Sequence, residues 1–70
     1  MKDALVFEKE VSLKDLRNGA IFVTRDGVYA VKTEHHFLNG ISVCVSLANG
    51  EYTQFKYGNL EMVREVRIAE

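Results

Sequence analysis

Apolar and polar residues alternate in short runs along this 70-residue chain, and Asn-Gly or Asp-Gly pairs cut the runs apart. Asn18-Gly19, Asp26-Gly27, Asn39-Gly40 and Asn49-Gly50 supply positive φ at little steric cost, which tight turns require. The pieces between them have strand length. The cleanest is Ile41-Ser42-Val43-Cys44-Val45-Ser46-Leu47, with apolar odd positions and small even ones. Ala4 to Val11 places Leu5, Phe7 and Val11 on one face. Leu60 to Ile68 places Leu60, Met62, Val66 and Ile68 together, and the position of Val63 predicts a bulge or brief turn near Met62–Arg64. Ser12, three residues ahead of Asp15, resembles a capping box, so residues 12–18 read as one helical turn whose Leu13 and Leu16 plug the end of the fold.

Two hairpins follow from loop length. Around Asp26-Gly27, a three-residue loop closed by a left-handed glycine pairs Ile21 with Val31 and Val23 with Tyr29. A three-residue loop from Ala48 to Gly50 places Phe55 opposite Val43 and Tyr57 opposite Ile41, with positive φ at Gly50. The resulting core is Ile21, Val23, Tyr29, Val31, Ile41, Val43, Val45, Leu47, Phe55 and Tyr57. Phe22, Val28, Ala30, Phe37 and Leu38 are then surplus apolar residues. These registers predict a single all-β domain over residues 1–70. It is a small SH3-like barrel or roll of five to six antiparallel strands with paired terminal strands.

Composition sharpens this picture. The apolar fraction is 47%, which is too high for disorder, and nine valines suit a β-fold. The net charge of −1 argues against a dedicated duplex-DNA binder, because phosphate neutralisation calls for a basic excess. No apolar run spans a bilayer, and Met1-Lys2-Asp3-Ala4 does not open a signal peptide. With a lone cysteine, this predicts a cytoplasmic setting. One cysteine and no zinc spacing also leave a small domain without its usual staples, so self-association is expected.

Candidate chemistry is sparse. His35 and His36 are adjacent, so on a strand they point apart and chelate poorly; no metal or cofactor is expected. Cys44 reads as a structural thiol, and no catalytic motif is present, so the chain is read as a non-enzyme. The candidate ligand residues are Arg25, Lys32, His35, His36, Phe37, Tyr52 and Lys56, because aromatic planes beside cations hold bases and phosphates. The candidate interface residues are Phe22, Val28, Ala30 and Leu38, the apolar surplus.

Four stretches carry a resemblance over about residues 12–68. They are Leu13-x-x-Leu16-x-x-Gly19-x-Ile21-Phe22, Asp26-Gly27-x-Tyr29-Ala30-Val31-Lys32-Thr33, Cys44-Val45-x-Leu47-x-x-Gly50-Glu51 and Val63-x-x-Val66. Together they resemble very short bacteriophage-encoded SH3-like barrel proteins, on turn and core positions alone. The resemblance implies a barrel fold, a phage or prophage origin, the host cytoplasm, and action without catalysis. It transfers no functional residue. The leading expectation is an oligomeric binding module that sequesters a nucleotide-like anion of a host defence system. The alternatives are an adaptor that engages a host protein and a nucleic-acid-binding barrel.

Overall fold

A computed structural model describes residues 4–69. The signal-peptide reading of residues 1–3 and the side chain of Ile68 lie outside the described part. Six antiparallel strands form one open sheet in the order β1-β6-β2-β3-β4-β5. They are β1 Ala4–Ser12, β2 Ile21–Thr24, β3 Tyr29–His36, β4 Ser42–Ser46, β5 Tyr52–Thr53 and β6 Met62–Ala69. The terminal strands pair, as expected. The all-β class therefore holds, but among the described residues no ladder joins β5 to β1, so the sheet is not closed.

The first hairpin has the expected register, Ile21↔Val31, Phe22↔Ala30 and Val23↔Tyr29. Gly27 sits at φ 89° and donates its N–H to the Thr24 carbonyl at 3.0 Å. The faces, however, are inverted relative to the expected core. Ala20, Phe22, Thr24, Ala30 and Lys32 are buried, whereas Ile21 and Tyr29 are exposed. Both faces of this hairpin are apolar, so alternation alone does not say which one is covered. The covering element decides. The 3-10 turn Leu13–Asp15 lays Leu13, and just beyond it Leu16, into the core cluster with Ala20, Phe22 and Ala30. The small alanines give those leucines room against the larger Phe22.

The second hairpin departs from expectation by one residue. Cys44 pairs with Thr53 and Val45 with Tyr52, so Phe55 does not face Val43. The turn holds four residues. Gly50 donates to the Ser46 carbonyl at 2.8 Å, and Ser46 to the Glu51 carbonyl at 2.8 Å. Gly50 has the expected positive φ, 73°. The Asn49 side chain accepts from the Glu51 N–H at 3.0 Å, which stabilises the longer turn. Phe55 leaves the ladder after β5 and meets Phe22 edge-on, with ring centroids 5.8 Å apart. This contact spans the width from β5 to β2, so the sheet is strongly curled. Cys44 points into the core, Leu47 is exposed, and Tyr57, also expected in the core, is exposed.

The predicted irregularity near Met62–Arg64 lies in the partner strand instead. The β1–β6 register shifts between Phe7 and Glu10, so Phe7 pairs with Val66 while Val11 pairs with Val63. Phe7 and Val11 therefore take opposite faces, and only Val11 packs against the core. Ser12 donates to the Asp15 carboxylate at 2.9 Å but caps no backbone N–H. A second 3-10 turn, Gly58–Leu60, was not anticipated. Its Asn59 accepts from the Ser42 N–H at 2.9 Å and donates to the Gly40 carbonyl at 3.1 Å, clipping the β3–β4 loop.

Candidate functional site

The strand pairings line up an apolar row on the uncovered face. Phe7 pairs with Val66, Ile21 with Val31, Val31 with Val45, and Val45 with Tyr52. The pairing of Phe22 with Glu65 puts those two on the covered face, so their neighbours Ile21 and Val66 share the other. A second, shorter row runs from Val23 through Tyr29 to Leu47, whose N–H donates to the Tyr29 carbonyl at 3.0 Å. Antiparallel sheets usually keep a water-facing side polar. Here the first row is apolar across the sheet, while the second passes from Val23 to Arg64 and Glu10.

The face has a rim. Arg64 stands opposite both Glu10 and Val23. Arg25 forks onto Glu10, with Nε and Nη2 each donating at 2.8 Å. The hydrogen bond from Arg25 holds the Glu10 carboxyl below its ordinary range against a smaller desolvation effect. At the turn end, Gly27, Val28, Tyr29, Ser46, Leu47 and Ala48 line a shallow notch of about 480 Å³ that continues the apolar surface.

The covered face has a different polar chemistry. Lys32 is buried, and its ammonium donates to the carbonyls of Leu13, at 2.8 Å, and Leu16. It thus pins the 3-10 segment to β3. Burial pulls the Lys32 ammonium below its ordinary range, against opposing pulls from Cys44 and Asp15. Burial also pushes the Cys44 thiol up to about 11, with Lys32 opposing, so the thiolate is scarce at neutral pH. Glu65 accepts two bonds from Arg17, at 2.6 and 3.1 Å, and Arg67 stands 3.4 Å away. Desolvation raises the Glu65 carboxyl, but the hydrogen bonds from Arg17 and Arg67 outweigh it and leave it below its ordinary range.

The candidate ligand residues do not converge. Arg25 is engaged by Glu10, and Lys32 is not a surface cation but a core one. His35 and His36 are exposed at the far end of β3, and no group of three or more metal-ligating residues occurs among the described residues. Phe37 is half-buried where its loop closes, its N–H donating to the Ile41 carbonyl at 2.8 Å. Lys56 lies over the Tyr57 ring at 5.5 Å. Tyr52 is exposed on β5 and belongs to the apolar row.

The candidate interface set is corrected in part. Phe22 and Ala30 are fully buried, because the 3-10 segment covers their face. Val28 and Leu38 are exposed, Val28 in the notch and Leu38 at the tip of the β3–β4 loop. Leu5, Phe7, Ile21, Tyr29 and Leu47 were missed as surface residues. The available signal was the Ala20–Phe22–Ala30 pattern, whose small residues mark a face that something else packs upon. Comparison of the chain with protein-family models, curated proteins and solved structures finds no match.

Proposed function

We propose that this chain is a non-enzymatic binding module, a small SH3-like roll that works by presenting the uncovered face of its sheet to a protein surface. The observation that carries this reading is the charge-free row from Phe7 to Tyr52, with exposed Leu5, Tyr29 and Leu47 beside it. An apolar patch with aromatic members and a charged rim is the composition of a protein contact. The paired terminal strands and the Phe22–Phe55 contact across the curl support the SH3-like roll. Of the candidate ligand cations, Arg25 and Lys32 are committed to internal acceptors and Lys56 lies over the Tyr57 ring, which favours protein contact over sequestration of a nucleotide-like anion. The phage resemblance implies a host protein as one partner class, and the missing staples imply a second copy of the chain as another.

The test pairs wild type with the double variant Ile21→Thr and Tyr29→Ser. Affinity capture from a bacterial lysate is expected to lose its protein partner in the variant, while titration with cyclic and linear nucleotides gives neither heat nor a melting shift. A nucleotide-dependent melting shift at micromolar concentration, retained in the variant, overturns the reading.

A further inference from the structure

We propose that the occupant of the uncovered face is a second copy of this chain, packed sheet on sheet about a twofold axis. The inference rests on the protein-contact reading above and names the partner. The first argument is area. Leu5, Phe7, Ile21, Tyr29, Leu47 and Tyr52 are between 38% and 75% exposed. Large side chains of this kind at about half exposure offer on the order of 500 Å² together. The half-buried Val23, Val31 and Val45 and the rim around Arg64 bring the patch toward the ~800 Å² per partner of a stable interface. That is about a sixth of the 4907 Å² surface, a larger share than a small monomer ordinarily leaves apolar on one side.

The second argument is self-complementarity. A twofold axis brings each patch against itself, so any unpaired charge in the row would meet its own copy. The row from Phe7 to Tyr52 carries no carboxylate, ammonium or guanidinium; beside it Glu10 is paired with Arg25, and the Arg64 guanidinium stands opposite Glu10, outside the row. Stacked sheets sit about 10 Å apart with side chains interleaved, and the branched Ile21, Val31 and Val45 suit that spacing.

The third argument is the arm. The molecule extends 44 Å along one axis against 24 and 21 Å along the others. Ala4 to Phe7 and their partners Val66 to Ala69 form a two-stranded ribbon, and Leu5 and Phe7, on the face of the row, are both exposed. An isolated two-stranded ribbon is marginal in water. The same row that begins at Phe7 runs on into the sheet, so one partner face covers both. A second copy also provides what a 70-residue chain without a disulfide otherwise lacks.

Sedimentation equilibrium of the full chain, across low to high micromolar concentration, tests this. Wild type is expected at twice the 8.0 kDa chain mass, and Ile21→Thr with Val31→Thr is expected to weaken dimerisation at least tenfold with an unchanged far-UV spectrum. Threonine keeps the β-branched shape that strands favour, so the fold is retained. A wild-type monomer at high micromolar concentration overturns the second-copy proposal while leaving lysate capture to judge the broader reading. A dimer that the variant does not weaken overturns the choice of face. Hydroxyl-radical labelling of wild type adds a readout that needs no variant. On concentration, Tyr29 and Tyr52 are expected to be protected several-fold and Tyr57 not. Equal labelling of all three at both concentrations also overturns the proposal.

Discussion

Ile21 and Phe22 are neighbours on β2, and the fold treats them in opposite ways. Phe22 is sealed by Leu13, Leu16 and Phe55, whereas Ile21 lies in an apolar row whose members, Val66 apart, stay half-buried or exposed among the described residues. The two faces differ less in hydrophobicity than in what closes them. The inner face has a lid, the 3-10 segment, locked by the Lys32 ammonium on two of its carbonyls. Among the described residues no polar side-chain atom is left buried without a partner, so the inner face is complete. The outer face has the aromatic and branched side chains of a core and no lid. Apolar content therefore does not define a core by itself. A core also needs a second layer, and the described residues supply one only to the inner face.

Five substitutions break or sharpen that contrast. Phe22→Ala is expected to cost about 3–5 kcal/mol, read from urea unfolding, because it empties the centre of the closed core. The contrast fails if Ile21→Ala in dilute protein costs as much. Lys32→Met keeps the apolar stem but leaves the Leu13 and Leu16 carbonyls without their donor. A loss of about 1–3 kcal/mol is expected, and a neutral or stabilising result would show that the lid holds by apolar packing alone. Glu65→Gln addresses the ionic edge of the inner face. The folded Glu65 carboxyl lies below its ordinary value of 4.5, so its contribution is present above that value and is lost as pH falls through the folded value. Melting temperatures between pH 7 and pH 3 should therefore fall on acidification in wild type and fall less steeply in the variant. The same slope in both proteins would remove Glu65 from the account. Ile21→Thr is the smallest, with an expected change within about 0.5 kcal/mol in dilute monomer. A larger loss there would mean that the outer face is closed within the chain after all.

Much of the local structure is legible from residue types. Gly19, Gly27 and Gly50 stand at positive φ where their turns require it, and the first hairpin has the register its loop length dictates. Leu13 and Leu16 plug the fold as their spacing suggests. Face assignment is where local reasoning stops. With apolar residues on both sides of β2 and β3, the choice depends on which side receives a segment distant in sequence. The residue that gives it away, Lys32, reads locally as a surface cation. The second hairpin slipped for a related reason. Placing Phe55 on the ladder satisfied the alternation, but its ring is needed over Phe22, and a four-residue turn with an Asn49 side-chain bond releases it. The uncovered row is the part of the candidate site that pairing exposes and alternation hides.

The position of β6 between β1 and β2 governs the order of assembly. β2, β3 and β4 pair with their immediate successors, so that meander closes through short loops. Among the described residues β1 pairs only with β6, from Ser12↔Met62 to Ala4↔Ala69, so each of its ladder pairings spans most of the chain. Long-range pairings of this kind are slow, because the intervening loop must be closed before they gain anything. β1 is also synthesised well before β6 and must wait for it to emerge. Until then Leu5, Val6 and Phe7 have no ladder, and a nascent chain that stalls before Met62 carries an unpaired apolar strand at its front.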